Sequence, residues 1–315
     1  MVCRLLLMAD QTAIHEDLRE VDVCVCTFRR PSVALLLASL AKQGVGGSLR
    51  IRVIVADNDD VQSARATVEA AFAANGLNGL YLHAPARNIS VARNACLQAA
   101  KAPLIAFIDD DEIARTGWLA GLVAAMDAAK SDVVFGKVNA AYAPDAPRWM
   151  PEADLHSTPA PFRNGVIDGG YTCNVLMQRK AIGALRFDPA FGRSGGEDTT
   201  FFAAMRGMGA SMSYAADAVV DEPVTKSRSS LAWLTQRAYR SGQTYGLLRL
   251  GKGESRSRIA AVSLAKVTWC FIVASLTIWS PARWRKSAVR AWLHAGVFGA
   301  AVGGTPLELY GAADG

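Results

Sequence analysis

Three adjacent carboxylates, Asp109, Asp110 and Asp111, follow an apolar run at Leu104 to Ile108. Three like charges side by side repel one another, and the end of a strand gives them no reason of its own to cluster. A divalent cation with oxygen ligands would stabilise the arrangement, and a diphosphate can complete its coordination shell. The alternative is a solvated acidic turn. The apolar run favours the ligand site, because it would place the triplet at the edge of a sheet.

A second apolar run, Ile51 to Ala56, ends in the same way at Asp57. A carboxylate at this place can accept hydrogen bonds from a nucleobase or a ribose. Alternatively, Asp57 caps a turn, since Asp and Asn favour turns. Arg87 and Arg93, each followed by Asn, flank the start of a predicted helix. Their charges can face a diphosphate, or they can cap the helix and pair with the acidic loops.

Glu197 and Asp198 follow two glycines and precede a predicted helix at Thr199 to Met208. A carboxylate on a glycine-rich loop can approach a substrate closely, and Asp can act as a general base within hydrogen-bond reach of a sugar hydroxyl. The competing explanation is an N-cap, in which Asp stabilises the free N–H groups of a helix start. Other catalytic signatures are missing, because the sequence has no GxxxxGK[ST] phosphate loop and no complete dinucleotide fingerprint.

Strands that alternate with helices must position these residues. Predicted strands cover 21–27, 51–56, 80–83, 104–108 and 133–138, and predicted helices cover 33–43, 61–74, 90–100 and 118–129. Such alternation indicates βαβ units and a parallel sheet. Ligands of these sheets bind beyond the carboxyl ends of the strands. Thr27 with Arg29, Asp57 and the acidic triplet all follow strand ends, so the sequence predicts one shared ligand-binding edge.

Composition restricts the partners and the compartment. The 315 residues are 51% apolar, with a net charge of +6 and a mean hydropathy of +0.16. The basic balance favours nucleotides, phosphates or anionic lipid, whereas dispersed basic residues without a recognised motif argue against nucleic acid. Six cysteines without a CxxC pair are expected to be buried small side chains in a reducing compartment. The apolar patch Leu5 to Met8 is too short for a signal peptide, so we expect the body of the chain in the cytoplasm.

The apolar excess is concentrated at Ile259 to Trp279, a stretch broken only by Lys266 and long enough to cross a bilayer as a helix. A basic cluster at 283–290 follows, and then a weaker apolar stretch from Ala291 to Gly304. The positive-inside rule places both Lys266 and the basic cluster on the cytoplasmic side, which disfavours a single span. The sequence therefore predicts a shallow hairpin or two interfacial helices, with a buried helical pair packed on the catalytic domain as the alternative.

Six segments together resemble glycosyltransferase family 2, the inverting enzymes with a GT-A fold. They are VDVCVCTFRRP at 21–31, IRVIVADND at 51–59, ARNISVARN at 86–94, IAFIDDDE at 105–112, GGYTCNVLM at 169–177 and GGEDTTF at 195–201. The order and spacing of the six segments are more specific to the family than any single segment. Together the segments cover roughly residues 20 to 225. Within the family, the chain looks most like the exopolysaccharide branch that includes succinoglycan glucosyltransferases.

The resemblance implies a nucleoside pocket lined by Thr27, Arg29 and Asp57, with Arg93 near it. The first strand departs from the commoner Thr-Tyr-Asn-Arg form and reads Thr-Phe-Arg-Arg, which leaves the roles of Phe28 and Arg29 open.

The resemblance also assigns the acidic triplet to the DXD motif of the family. Asp111 would be the main ligand of Mg²⁺ or Mn²⁺, with Asp109 as a second ligand. Asp110 would contact the ribose, and Asp109 would also lie against the nucleotide-sugar. Asp198 would be the catalytic base, with Glu197 as its catalytic neighbour.

The implied reaction is the transfer of a sugar from a nucleotide-diphosphate donor, UDP-sugar above all, to an acceptor hydroxyl, with inversion. The segment QRAYRSG at 236–242 does not spell the QxxRW motif of processive synthases, which favours one sugar per acceptor. A polyprenyl-linked saccharide acceptor at the cytoplasmic face of the bacterial inner membrane would explain the apolar tail. Two other functions stay open: a nucleotidyltransferase and a catalytically silent, membrane-bound scaffold that binds nucleotide-sugar.

The predicted organisation has five parts. An N-terminal extension at 1–20 precedes a GT-A domain at 21–225, an α/β unit with a mixed, mostly parallel sheet and flanking helices. A linker or interfacial helix at 226–258 leads to membrane-associated or transmembrane helices at 259–304, and a tail at 305–315 follows.

Overall fold

A computed structural model of the chain describes residues 18–43, 49–163, 165–167, 169–305 and 307. Nearly all of the predicted extension at 1–20 and most of the predicted tail at 305–315 lie outside the described residues. The strands are β1 Arg19–Thr27, β2 Leu49–Asp57, β3 Gly79–His83, β4 Leu104–Ile108, β5 Ile113–Ala114, β6 Val133–Ala141, β7 Phe162–Arg163, β8 Val166–Ile167, β9 Asn174–Gln178 and β10 Met212–Pro223. The α-helices are α1 Val33–Leu40, α2 Arg65–Asn75, α3 Ile89–Ala99, α4 Trp118–Ala129, α5 Trp149–Ala153, α6 Arg179–Ile182, α7 Glu197–Gly207, α8 Leu231–Gly251, α9 Arg256–Leu276 and α10 Pro281–Ala301.

Eight strands form one sheet in the order β3-β2-β1-β4-β9-β6-β10-β5. The strands of the pairs β1/β2, β1/β4, β2/β3 and β6/β10 run parallel. Strand β9 runs antiparallel between β4 and β6, and the short β5 pairs antiparallel with β10 at the other edge. Strands β7 and β8 form a separate pair. The prediction of a mixed, mostly parallel sheet with flanking helices is therefore confirmed.

The central strands are buried on both faces, which explains their continuous apolar runs. All five residues of β4 are buried, and so are Val53 to Asp57 at the end of β2. Helix α4 is fixed to the sheet by a hydrogen bond of 2.8 Å from Trp118 Nε1 to Asn174 Oδ1 on β9. Of the five described cysteines, which are free thiols, Cys24, Cys96 and Cys270 are buried as predicted, and Cys26 and Cys173 are partly buried.

The predicted bounds of β4 and α4 coincide with the structure, and two other helices begin elsewhere. Helix α2 begins at Arg65 rather than at 61, because residues 58–64 form a loop whose end is tied back by a bond from Ala64 N to Asp57 Oδ2. Helix α7 begins at Glu197, two residues before the predicted start, so both acids lie in its first turn.

Helices α8 and α10 touch backbone to backbone. A Cβ atom on Gly242 would overlap the carbonyl oxygen of Leu293, and a Cβ atom on Gly296 would overlap that of Tyr239. Helix α10 is thereby held against α8, with buried residues such as Ala291 and Val297 along its length.

Helix α9 runs antiparallel to α10, since Ile259 near its start packs against Val297 and Ala301 near the end of α10. It presents a broad apolar face to the outside, where Trp269 is 65% exposed and Leu276 is 63% exposed. Within the described residues, α9 is the one helix long and apolar enough to cross a membrane.

Candidate active site

The carboxyl ends of β1, β2 and β4 meet at one edge of the sheet. Thr27 at the end of β1 stands opposite Asp57 at the end of β2 in the parallel register. Strand β4 lies on the other side of β1 and ends at Ile108, so Asp109 to Asp111 follow at the same edge. The structure thus brings together the three strand ends that the sequence analysis singled out.

Two arginines and one hydroxyl hold the acidic triplet. Thr27 Oγ1 donates a hydrogen bond of 2.7 Å to Asp110 Oδ2. Arg30 Nη1 lies 2.9 Å from Asp110 Oδ1 and 2.8 Å from Asp111 Oδ2. Arg228 Nη2 approaches the same Asp111 oxygen at 3.0 Å. Asp111 therefore faces two cationic side chains, one that follows β1 and one that follows β10.

Acidic side chains nevertheless outnumber basic ones at this edge, since Asp109 to Glu112 face Arg30 and Arg228. Burial, together with the charges of Asp111 and Asp109, raises the pKa of Asp110 to about 7, against the effects of Arg30 and Thr27. Burial also raises the pKa of Asp109 and, well above its usual range, the pKa of Glu112, whose Oε2 accepts a bond from Asp109 N. The edge is thus suited to receive a cation.

The chain alone does not build a complete metal cage there. Among the residues that the structure describes, no group of three or more His, Cys, Asp or Glu side chains is arranged to hold a metal ion. The carboxylates of the triplet are of the hard oxygen type that Mg²⁺ and Mn²⁺ bind. The residues fit such an ion provided that a bound molecule supplies further oxygens.

The loop after β2 differs, because its carboxylates are bound within the loop and by neighbouring side chains. Asp57 is fully buried, and its Oδ1 accepts a bond from Asp59 N while its Oδ2 accepts bonds from Ala64 N and Tyr81 Oη. This is the turn-capping arrangement that the sequence left as an alternative to nucleoside binding.

Arg29 is engaged with the same loop. Its Nε and Nη2 atoms both lie 2.9 Å from the carboxylate of Asp59. The hydrogen bond from Arg29 lowers the pKa of Asp59 to about 2. Arg29 has a positive φ of 55°, which turns its side chain toward β2 while that of Arg30 reaches the acidic triplet.

The sheet edge that carries Asp109 to Asp111 is called the acidic edge below. Arg93 lies between this edge and the start of α7. It is buried, forms an ion pair with Glu197 Oε1, and lies over the ring of Phe187 with 5.5 Å between its Cζ atom and the ring centroid. The charges of Glu197, Asp109 and Asp198 all raise the pKa of Arg93, although burial opposes them. The second oxygen of Glu197, Oε2, is buried and has no hydrogen-bond partner among the described residues.

Asp198 lies in the first turn of α7, where its Oδ1 accepts a bond of 2.6 Å from Thr199 N. Burial raises its pKa to about 6, the charge of Glu197 adds to this effect, and Arg93 opposes it. Gly196 caps the helix with a φ of 102°, and a Cβ atom there would overlap Thr244 of α8. The start of α7 thus packs closely against α8. With a pKa of about 6, the carboxylate of Asp198 is ionised at neutral pH and can still take up a proton.

Helix α8 adds an aromatic and cationic wall. The ring of His156 stacks on Trp233, with 5.6 Å between centroids and 10° between planes. Arg228 and Arg237 approach the ring of Trp233, at 5.7 Å and 5.3 Å from the centroid. Arg240 lies beside Gly195, in the loop that precedes α7, and forms no ion pair within the described ranges.

The sequence profile described as "Glycosyl transferase family 2" matches residues 22–186, more than half of the chain. The chain belongs to glycosyltransferase family 2. It is also 44% identical to "Succinoglycan biosynthesis protein ExoM" of Rhizobium meliloti (strain 1021), over 93% of this chain and 96% of that protein. This glycosyltransferase therefore has a full-length relative as well as a matching family domain, and the resemblance inferred from the six segments is confirmed.

Solved structures of other glycosyltransferases share the fold. The mannosyltransferase PcManGT of Pyrobaculum calidifontis, in complex with GDP-Man and Mn²⁺, matches with a TM-score of 0.63 and 17% identity over 90% of this chain and 88% of that one. S. aureus TarS 1–349 in complex with UDP-GlcNAc matches with a TM-score of 0.53 and 17% identity over 90% of each chain. At this identity the likeness shows the fold, which is GT-A.

Sequence reasoning about the glycosyltransferase site missed Arg30, Arg228 and the wall on α8. Arg30 is adjacent to Arg29, and composition alone does not say which of the two faces the acids. Arg228 lies in a short turn after β10, outside every quoted motif. The spacing of Arg237 and Arg240 at i and i+3 was a usable signal, because it places both on one side of a helix.

Proposed function

We propose that this glycosyltransferase transfers one sugar from a UDP-sugar to a saccharide acceptor, with inversion at the anomeric carbon, during assembly of a bacterial exopolysaccharide. The observation that carries the proposal is Asp198, a carboxylate with a pKa of about 6 at the start of α7, joined through Glu197 and Arg93 to the acidic edge. The pathway is suggested by the full-length likeness to the succinoglycan protein of Rhizobium meliloti.

Asp198 is the general base in this proposal. Its carboxylate takes the proton of an acceptor hydroxyl, and the oxygen attacks the anomeric carbon as the bond to the diphosphate breaks. A single displacement of this kind inverts the configuration, so an α-linked donor yields a β-linked product. Arg93 keeps the base ionised, since its positive charge lowers the pKa of Asp198 against burial.

The acidic edge holds the donor. Asp111 and Asp109 would bind Mg²⁺ or Mn²⁺ together with diphosphate oxygens, and the ion would neutralise charge on the leaving group. Asp110 contacts the ribose, and Arg93 lies near the nucleotide. The nucleoside lies against Thr27 and Arg29, and Asp57 supports this pocket indirectly by fixing the loop after β2 from within. The UDP-GlcNAc complex of TarS supports uracil as the nucleobase of the donor, and the Mn²⁺ complex of PcManGT supports a divalent metal ion.

The acceptor lies between α7 and α8. Glu197 Oε2 is a buried acceptor without a partner in the described structure, and a sugar hydroxyl would satisfy it. Arg240 supplies a cation beside Gly195, in the loop that precedes α7. Transfer of one sugar per acceptor rests on the departure from the QxxRW motif at 236–242.

The acceptor is a polyprenyl-linked saccharide at the cytoplasmic face of the inner membrane, with α9 lying along the membrane surface. Helix α9 is joined to α8 and α10 by short connections at 252–255 and 277–280, and α10 is held against α8. If α9 crossed the bilayer, Arg240 and Arg290 would be drawn into the hydrocarbon with it, at a high cost in free energy. A surface position instead buries the apolar face of α9 and leaves these charges in water.

The test is transfer by the purified full-length enzyme in detergent. UDP-, GDP- and dTDP-sugars are offered with a lipid-linked saccharide, nucleotide release is measured, and the product anomer is assigned by NMR. We expect turnover with a UDP-sugar and an inverted product. Asp198→Asn should reduce transfer on the order of 10²–10⁴-fold with donor affinity unchanged.

The matched control is Asp217→Asn, which removes an exposed acid on β10 and should leave transfer unchanged. A product of retained configuration, or an Asp198→Asn enzyme as active as this control, would overturn the proposed mechanism.

A further inference from the structure

A cavity of about 330 Å³ lies between α9 and α10, away from the acidic edge. Lys266 and Trp269 of α9 and Ser287, Arg290 and His294 of α10 are among the residues that line it. Three basic side chains and a hydroxyl thus point to a space large enough for a phosphate group.

No acid among the described residues forms an ion pair with these basic groups. The sequence from 255 to 307 contains no Asp or Glu, and neither Lys266 nor Arg290 forms an ion pair in the described part of the chain. Burial lowers the pKa of His294, and the positive charges of Lys266 and Arg290 lower it further. The chain therefore brings like charges together around a cavity, an arrangement that an anion would stabilise.

The cavity adjoins an apolar surface. Trp269 lines the basic cavity and also a shallow groove on the outer face of α9, with Leu264, Ala265 and Ile272. Leu264 is 53% exposed and Ile272 is 46% exposed, which leaves a continuous apolar strip next to the cationic cavity. A cationic cavity that opens onto an apolar strip matches a molecule with an anionic head and a hydrocarbon tail.

We propose that the cavity binds the phosphate headgroup of an anionic membrane lipid, whose acyl chains lie along the groove on α9. Arg290 and Lys266 form charge-assisted hydrogen bonds to the phosphate oxygens, and Ser287 and His294 donate further bonds. Trp269 lies at the boundary between head and tail, where Trp is enriched in membrane proteins. This inference rests on the proposed attachment to the membrane and adds to it a specific lipid site.

The experiment is co-sedimentation of the full-length protein with vesicles at physiological ionic strength, where exposed charges are screened over about 8 Å. One set of vesicles contains phosphatidylcholine only, and the other also contains phosphatidylglycerol. The cavity variant is Lys266→Gln/Arg290→Gln. The control variant is Arg283→Gln/Lys286→Gln, which removes the same charge from side chains that do not line the cavity.

We expect tight binding of the wild type to the phosphatidylglycerol vesicles. Each basic side chain near an anionic surface strengthens binding about fivefold, so both variants lose some affinity because the general electrostatic attraction weakens. The cavity variant should lose at least tenfold more than the control. Equal losses would overturn the lipid site while leaving membrane attachment intact.

Two further arms separate the alternatives. Inorganic phosphate and glycerol 3-phosphate, which have no acyl chains, should compete with the vesicles only weakly; competition by either at low concentration would mean a site for a free phosphate and would overturn the inference. Sugar transfer in detergent is measured on the same preparations. Transfer that continues in a wild type that binds no vesicles would overturn the lipid site and the attachment, while the proposed reaction would stand.

Discussion

Two acidic loops lie at the same edge of the sheet and look alike in sequence, yet their electrostatic states are opposite. The loop after β2, at 57–60, binds Asp57 by backbone and tyrosine donors and pairs Asp59 with Arg29. The loop after β4, at 109–112, holds Asp109 and Asp110, whose pKa values are raised by burial and by neighbouring carboxylates, and Asp110 and Asp111 share Arg30. The carboxylates of the first loop have their partners within the chain, whereas burial and neighbouring acids disfavour the charged forms of carboxylates in the second.

The difference separates structure from chemistry at this site. A carboxylate that is paired with an arginine and bound by donors of its own loop stabilises the fold, and its pKa falls, as for Asp59. A carboxylate whose environment resists its charge has a raised pKa and can gain free energy from a ligand. Four variants or conditions test this comparison.

The largest effect is expected at Asp111. Asp111→Asn should reduce kcat on the order of 10²–10³-fold, the magnitude seen when one group that stabilises transition-state charge is removed. Asp59→Asn, at the completed loop, should retain most of its kcat at temperatures well below its Tm. Circular dichroism checks that both variants are folded. Equal kcat losses in the two variants would remove the functional distinction between the loops.

The pH dependence of kcat is the next largest effect. Since the pKa of Asp198 is about 6, its base form is lost below that pH and kcat should fall about tenfold per pH unit. Asp59, with a pKa of about 2, contributes stability that is present above its ordinary value of 3.8 and is lost only as the pH falls toward 2. Between pH 4 and 6 the enzyme should therefore lose activity while Asp59 still stabilises its loop. Parallel kcat and Tm profiles, falling together over this range, would contradict the assignment.

Binding of Mn²⁺ should raise the Tm of the wild type. An ion that binds only the folded chain at 100 times its Kd contributes about 2.7 kcal/mol. We expect the increase in the presence of UDP, which supplies the missing oxygens, and its reversal by EDTA. Differential scanning fluorimetry should show the shift in Asp59→Asn and no shift in Asp111→Asn.

The smallest effect is expected at Asp57. In the wild type, three donors bind the carboxylate of Asp57. Asp57→Asn replaces one of its oxygens by an NH₂ group, which cannot accept these bonds, so the free energy of unfolding should fall by about 1–3 kcal/mol. Urea denaturation measures this cost, and the KM for the donor should stay within twofold of the wild type. A raised KM with unchanged stability would instead make Asp57 a direct ligand of the nucleoside.

Periodicity predicted the framework of the site well. The runs at 51–56 and 104–108 are continuous because helices cover both faces of the sheet, and such runs end where the sheet ends. The position of Asp57 and of the acidic triplet therefore followed from local sequence. The reversed direction of β9 between β4 and β6 did not, since a short apolar strand reads the same in either direction.

The ion pairs could not be predicted in this way. Arg228 and Asp111 are far apart in sequence and meet only because β10 and β4 belong to the same sheet. The choice between Arg29 and Arg30 depends on a left-handed backbone conformation at Arg29, which the sequence does not specify. The distinction between the two acidic loops rests on these pairs, so it required the structure.

The close approach of α8 and α10 at Gly242 and Gly296 has a mechanical consequence. Because α8 and α10 touch without intervening side chains, they form one stiff block, with the aromatic wall of the site on α8 and the partner of α9 on α10. If α9 lies on a bilayer, this block fixes the height of Asp198 above the surface. A lipid-anchored saccharide then reaches Asp198 only when its own length matches that height. The enzyme would therefore select acceptors by their length and would leave shorter or longer chains unextended.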